Sequence, residues 1–449
     1  MQVGLSDTIF ALASGQGRSA LAVIRISGEG SGAVLSELIG QLPPARRAVV
    51  RVLRDADGAV LDQAVVLWLP GPSSYTGEDS GELHVHGGTA VIEGVMLALS
   101  RLGARPAEPG EFTRRAVLCG RMDLLAAEAV ADLIDAETLV QRDQALQQMQ
   151  GALGAIYETW AARLLQLLAQ QEALIDFPDE DLPPQVEAAL QAETLAVAAE
   201  MRSHLDDGGQ GERLRTGLVF AIAGPPNVGK STLINALCRR EIAIVSPQAG
   251  TTRDVLEARI ELAGIPVTLL DTAGLRETAD TIEAEGVRRA RARIASADLL
   301  IALQVGEGIE TLPEQHAGLQ VVRVRTKQDL FLAPELTANH HPIDPPDRSD
   351  QILAVSAVTG VGMAALQNEL ERVTRALAAP RGSPALSRAR HRMAIEEALA
   401  CLVRATQSPL AELRGEELRL SVQALGRVTG RVGVEDVLDS VFSQFCIGK

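Results

Sequence analysis

The sequence predicts a multidomain chain of α/β and all-α parts, with one α/β domain inserted into a split helical domain. Three observations predict this. A β-branched run leads through a glycine-rich loop into a helical pattern near residue 230, and strand–helix alternation continues from there to about residue 378. Ala/Leu/Gln-rich stretches with apolar residues at helical spacing flank that block on both sides. The first 120 or so residues instead alternate short aliphatic runs with glycine and proline turns.

Taken in order, "SALAVIRISG" and "DQAVVLWLPG" in residues 1–120 read as strands closed by turns. From Met122 to Asp176 the texture becomes helical, "FPDEDLPP" interrupts it, and "QVEAALQAETLAVAAEMRSHL" resumes it. The segment "DDGGQGERLRTG" is a hinge before the inserted block, and "APRGSP" closes that block. The expected division is an N-terminal domain over 1–120, an early helical segment over 121–214, the inserted α/β domain over 215–378, and a late helical segment over 379–449. The two helical segments carry too much apolar surface for linkers, so they are expected to pack on each other as one domain.

A hydrophobic fraction of 46% is ample for buried cores, and with 2% aromatics those cores are built from Ala, Leu, Ile and Val. No apolar run is long enough to span a bilayer, and "MQVGLSDTIFALASGQG" lacks the pattern of a signal peptide, so the expectation is a cytoplasmic protein without membrane attachment. Cys119, Cys238, Cys401 and Cys446 show no metal-ligand spacing and read as free thiols in a reducing compartment. The net charge of −16 argues against indiscriminate nucleic-acid binding. The cluster Arg288 to Arg293 is its one local exception, and it reads more readily as a solvated helix face.

"LVFAIAGPPNVGKSTLINAL" sets Gly224-x-x-x-x-Gly229-Lys230-Ser231 between a strand and a helix, the context a phosphate-binding P-loop requires. Its backbone N–H groups and the helix N-terminus meet phosphate oxygens, Lys230 reaches the outer phosphates, and Ser231 offers a hydroxyl to Mg²⁺. Downstream, Thr252 in "GTTRD" is placed for Mg²⁺ once a γ-phosphate is present. Asp271 in "VTLLDTAGL" serves the second metal shell, and the Gly274 amide can meet the γ-phosphate. Lys327 and Asp329 in "VVRVRTKQD" suit a purine ring and the guanine N1 and N2 hydrogens, and the backbone of Ser356 and Ala357 suits O6. These elements resemble the translation-factor-like GTPases, with one departure: Thr326 stands where their pattern has Asn.

After "DTAG" many switch GTPases carry a water-orienting Gln, but this chain has Leu275, and no arginine finger is obvious in cis. The amide oxygen of Asn227 is suited to a monovalent cation in place of a finger, or Asn227 merely caps the loop. Glu277 and Glu283 are both candidates for the water.

The ordered set "GPPNVGKST", "GTTRD", "DTAGLRE", "TKQD" and "SA", preceded by "GEDSGELHVHGG" and "PGEFTRRAVLCGRMDLLAAEAVADLIDAET" and closed by "FCIGK", resembles the bacterial tRNA modification GTPases over essentially the whole chain. The resemblance implies a potassium-activated GTPase whose G domains dimerise across the nucleotides. K⁺ ligands fall at Asn227, Ser246, Gln248 and Thr251, and Glu283 is the water-orienting acid. The GTP contacts it implies run through Asn227, Val228, Gly229, Lys230, Ser231 and Thr232, then Ser246, Pro247, Gln248, Ala249, Gly250, Thr251 and Thr252. They continue with Asp271, Thr272, Ala273 and Gly274, and end with Thr326, Lys327, Asp329, Ser356 and Ala357. It further implies a folate-binding-like N-terminal domain. There 5-formyltetrahydrofolate is held by Arg25, Glu82, Arg121 (Lys in many relatives) and Lys449.

The family pairs with an FAD-containing protein as a heterotetramer, and together they place a carboxymethylaminomethyl-type group on C5 of the wobble uridine of certain tRNAs. Cys446 is then expected as a reactive thiol. Its outline as a prenylation box fails on Gly448 and Lys449. His84 and His86, at i and i+2 with no third ligand, read as structural. The alternative of another class is a ribosome-assembly GTPase acting as a binding switch.

Overall fold

The computed structural model describes residues 7–15, 17–176, 184–240, 257–271, 297–306, 319–330, 352–378 and 384–430, with Leu438, Val441, Phe442, Phe445 and Gly448. The chain divides into two compact units. The first comprises Met1–Ala131, Gln148–Leu195 and Glu397–Lys449; the second comprises Asp132–Gln147 and Ala196–Glu396.

The first unit opens with β1 (Ile9–Leu12), β2 (Leu21–Ser27), α1 (Ser31–Ile39), β3 (Val49–Arg54), β4 (Val60–Leu69), β5 (Ser80–His86), α2 (Thr89–Arg101), β6 (Arg105–Pro106) and α3 (Glu111–Leu118). Its sheet runs β3-β4-β5-β2-β1-β6, antiparallel except for the β1–β6 pair. Side chains alternate across the pleat, so register decides which face each residue joins. Ala22, Ile24 and Ile26 of β2 and Leu83 and Val85 of β5 enter a core with Val34, Leu35, Val95 and Leu99 of α1 and α2. The odd residues of β1, Ile9 and Ala11, face the other way and join Ala107, Phe112 and Tyr75. Arg25 lies opposite Ala11 and Glu82, and so belongs to that second face.

The helical stretches are α4 (Leu124–Asp135), α5 (Leu139–Met149), α6 (Ala152–Asp176), α7 (Pro184–Leu205) and α8 (Gln210–Thr216), followed much later by the pair Ala389–Gln407 and Ala411–Thr429. As expected, the early and late stretches pack together. Gln171 of α6, fully buried, donates its amide to Ala411 O at 3.0 Å, and Arg414 pairs with Glu187 of α7 at 2.8 Å. Near the C-terminus Phe442 and Phe445 close over Leu124 and Ala127, and Gly448 lies against the backbone of Leu12 and Ala13.

The second unit contains β7 (Leu218–Ala223), α9 (Lys230–Arg240), β8 (Glu257–Leu262), β9 (Ile265–Asp271), β10 (Leu299–Gln304), β11 (Gln320–Arg325), β12 (Ile352–Ala354) and α10 (Met363–Ala378); the late pair named above becomes α11 and α12. The sheet order is β12-β11-β10-β7-β9-β8, parallel except for the β8–β9 hairpin. Its two-residue turn, Ala263–Gly264, has φ of 53° and 82°. Val140 of α5 packs so close that a Cβ on Gly264 would come within 2.6 Å of it. Gln141, the next residue, accepts from the Glu137 and Thr138 amides and donates to Leu214 O and Arg215 O, tying the start of α5 to the end of α8. β7 sits between β10 and β9, where strand order reverses, so the loop leaving its C-terminal end opens at the crevice where such sheets take ligands.

Candidate functional site

Gly224 leaves β7 with φ 158°, and a Cβ there would lie 2.6 Å from Leu303 O, so the loop hugs β10. The loop closes on the first turn of α9. Lys230 is 7% exposed, and its ammonium donates to Gly224 O at 2.8 Å and Pro225 O at 3.0 Å. Among the described residues those neutral acceptors leave its positive charge uncompensated, in the place where the helix N-terminus already favours an anion. Ser231 Oγ donates to Asp271 Oδ2 at 3.1 Å. The predicted Mg²⁺ hydroxyl and its carboxylate thus meet, and a hydroxyl beside a carboxylate is a hard-oxygen set that fits Mg²⁺. Asn227 is exposed at the loop tip with φ 61°, and its side chain makes no hydrogen bond among the described residues, so it does not cap the loop there. Val228 is buried, Gly229 is half-buried with φ 103°, and Thr232 is exposed on α9.

The base-recognition segment stands beside this loop. Thr326 is 5% exposed and donates its hydroxyl to Val228 O at 2.6 Å. That bond anchors the base segment to the phosphate loop. Lys327 follows with φ 57°, and the Asp329 carboxylate accepts from Ser356 Oγ at 2.6 Å. The Ser356 amide is already engaged with Val361 O at 2.9 Å, which leaves the Ala357 amide as the one suited to a base oxygen. Ser246 to Thr252, Thr272 to Gly274, Leu275, Glu277, Glu283, Arg288 to Arg293, Cys446 and Lys449 lie outside the described residues.

In the first unit, Arg25 Nε and Nη2 donate to Glu82 Oε1 at 3.2 and 3.1 Å, and the guanidinium lies 5.1 Å from the Tyr75 ring centre and 5.8 Å from that of Phe112. Each partner is about one-fifth exposed. The set of carboxylate, cation and two rings suits a flat heterocycle with an acidic tail. Burial pushes the Tyr75 hydroxyl above its ordinary value. His84 meets Glu82 Oε2 at 3.3 Å and His86 meets Asp62 at 2.8 Å. Arg121 is exposed and borders Gly77 beside Cys119; among the described residues no contact joins it to the Arg25–Glu82 pair. Desolvation and the Glu78 carboxylate push the Cys119 thiol up, which makes it a poor thiolate.

Behind this site is a network that sequence reading missed. Arg115, 1% exposed, donates to Glu111 at 3.0 Å, to Glu78 at 3.1 Å and to Asp7 O at 2.8 Å. Ser27 Oγ reaches Glu78 at 2.9 Å and Thr76 at 2.7 Å. The only available signal, Glu111 and Arg115 at i and i+4, looks the same on a solvated helix face.

A model of the MnmE helical domain matches residues 124–446, and a model of the GTP-binding protein TrmE N-terminus matches residues 8–121. The tRNA modification GTPase MnmE of Gluconacetobacter diazotrophicus is 58% identical, with 98% of each chain covered. The chain belongs to the MnmE family of tRNA modification GTPases. The MnmE proteins of Granulibacter bethesdensis and Rhodospirillum rubrum are 54% and 52% identical, with 99% of each chain covered in both cases. Among solved structures, the FeoB G domain from Methanococcus jannaschii covers 35% of this chain and 98% of its own at 24% identity, with a TM-score of 0.24, too low to carry an argument beside the MnmE likeness. No described helix is long and apolar enough to cross a membrane.

Proposed function

We propose that this chain hydrolyses GTP within a cytoplasmic tRNA-modifying enzyme. With an FAD-containing partner it adds a carboxymethylaminomethyl-type group to C5 of the wobble uridine of certain tRNAs, drawing one carbon from a reduced folate. Membership of the MnmE family supports the reaction. The observation that carries the nucleotide reading is the joined cluster of Lys230, Ser231–Asp271, Thr326–Val228 and Asp329–Ser356.

In this reading Lys230 leaves the carbonyls of Gly224 and Pro225 for phosphate oxygens. Asp329, oriented by Ser356, accepts from guanine N1 and N2, and Ala357 donates to O6. Ser231 and Thr252 hold Mg²⁺ with Asp271 behind them; Asn227, Ser246, Gln248 and Thr251 hold K⁺. Bound cations supply the charge stabilisation that an arginine finger gives elsewhere. Glu283 orients the attacking water in place of the absent Gln. Arg25, Glu82, Arg121 and Lys449 hold 5-formyltetrahydrofolate, with Tyr75 and Phe112 flanking Arg25. Cys446 is the reactive thiol of the modification step, as nucleophile or in one-carbon handling. Phe445 and Gly448, on either side of it, are fixed on the same unit as Arg25. The working form is a homodimer with the three-domain layout 1–120, 121–214 joined to 379–449, and 215–378.

Nucleoside analysis of tRNA from cells lacking this chain tests the reaction. The modified wobble uridine should vanish and return with the wild-type gene but not with Cys446→Ser. Unchanged uridine in the deletion strain would move the chain to the ribosome-assembly alternative. GTP turnover should rise strongly when K⁺ replaces Na⁺ at matched ionic strength, and equal rates would remove Asn227 from cation binding.

A further inference from the structure

Thr326 has two hydrogen-bond donors, and both are spent inside the protein. Its amide donates to Gln304 O at 2.9 Å. Its hydroxyl proton goes to Val228 O at 2.6 Å, with Gln304 O a weaker second acceptor at 3.4 Å. A hydroxyl carries one proton, so none is left for a ligand. An Asn at this position would have two N–H donors and would keep one after bonding the same carbonyl.

Guanine presents donors at N1 and N2 and acceptors at O6 and N7. The Asp329 carboxylate, fixed by Ser356 Oγ, can only accept, so it addresses N1 and N2. The Ser356 amide is occupied by Val361 O, and Ala357 remains for O6. N7 also needs a donor, and the side chain that begins this segment has none to give.

Resting on the GTP-site reading above, we propose that this chain recognises guanine through N1, N2 and O6 alone and leaves N7 unread. Thr326 is then a positioning residue. It fastens the base segment to the phosphate loop at Val228 and to the end of β10 at Gln304, and it contributes no contact to the base.

The test is calorimetric titration of the full-length protein with GDP, 7-deaza-GDP (N7 replaced by C–H) and ADP. The wild type should bind GDP and 7-deaza-GDP within about twofold of each other, because no hydrogen bond is lost. Thr326→Asn should create a preference for GDP of about five- to tenfold, the worth of one ordinary hydrogen bond. Wild-type binding of 7-deaza-GDP tenfold weaker than GDP would overturn the proposal, and this measurement does not depend on any variant folding. A folded Thr326→Asn protein that still binds the two equally would also overturn it, since N7 would then lie beyond reach of position 326. ADP binding as tight as GDP would overturn the guanine reading itself, and the proposal with it, and is distinguishable from the other two outcomes.

Discussion

Arg115 and Lys230 are both buried cations held against oxygen, and they are held in opposite ways. Arg115 is surrounded by carboxylates, Glu78 and Glu111, which cancel its charge. Lys230 rests on two carbonyls of its own loop, five and six residues away, which satisfy its protons but leave its charge intact. The first arrangement is a permanent bond of the fold. The second is a holding position that an incoming polyanion displaces without breaking an ion pair. A buried cation is therefore read by its partners: charged partners mark structure, and neutral local ones mark a site waiting for an anion.

The largest effect should follow from breaking the structural case. Arg115→Met takes the cation away from Glu78 and leaves Glu111 with Arg105 alone, which costs about 3–5 kcal/mol. Both tryptophans, Trp68 and Trp160, belong to the first unit, so their fluorescence in urea reports this loss. A shift under about 1 kcal/mol would contradict the reading. Lys230→Ala should do the reverse. GTP hydrolysis should fall by about a hundredfold or more, while the urea midpoint stays near wild type. A large stability loss there would mean that the lysine is structural too.

The smallest effect is acid sensitivity. Desolvation raises the Glu111 pKa, but hydrogen bonds from Arg105, the Glu108 amide and Arg115 outweigh it, and the carboxyl ends below its ordinary 4.5. A carboxyl depressed in the folded state contributes stability above its unfolded value and loses it as pH falls through the folded one. Urea midpoints of the first unit should therefore hold above about pH 4.5 and drop below it. The drop should be shallower in Glu111→Gln, and identical pH profiles would remove Glu111 from the linkage.

How much of this was legible follows the same division. The P-loop is contiguous, and its spacing carries its chemistry wherever the chain takes it, so Lys230 and Ser231 were readable at once. The split helical domain was legible too, because two apolar stretches with no cover of their own have to find each other. The bond from Thr326 to Val228 joins residues 98 positions apart, and only the parallel register of β7, β10 and β11 brings them together. The Arg25–Glu82 pair depends likewise on the β2–β5 register, where a slip of one residue would turn Arg25 into the core. Tyr75 and Phe112 beside Arg25 carried no local mark at all.

The packing of α6 on α12 also has a consequence in time. A ribosome delivers about 5–20 residues per second, so the 235 residues that follow Asp176 up to and including Ala411 take about 12–47 s to emerge. Throughout that interval the face of α6 that carries Gln171 is outside the ribosome without the helix that later covers it. The second unit, which needs nothing beyond Glu396, can be completed first. The inserted domain is thus a clock, and the packing of α6 on α12 is the last part of the first unit to be born.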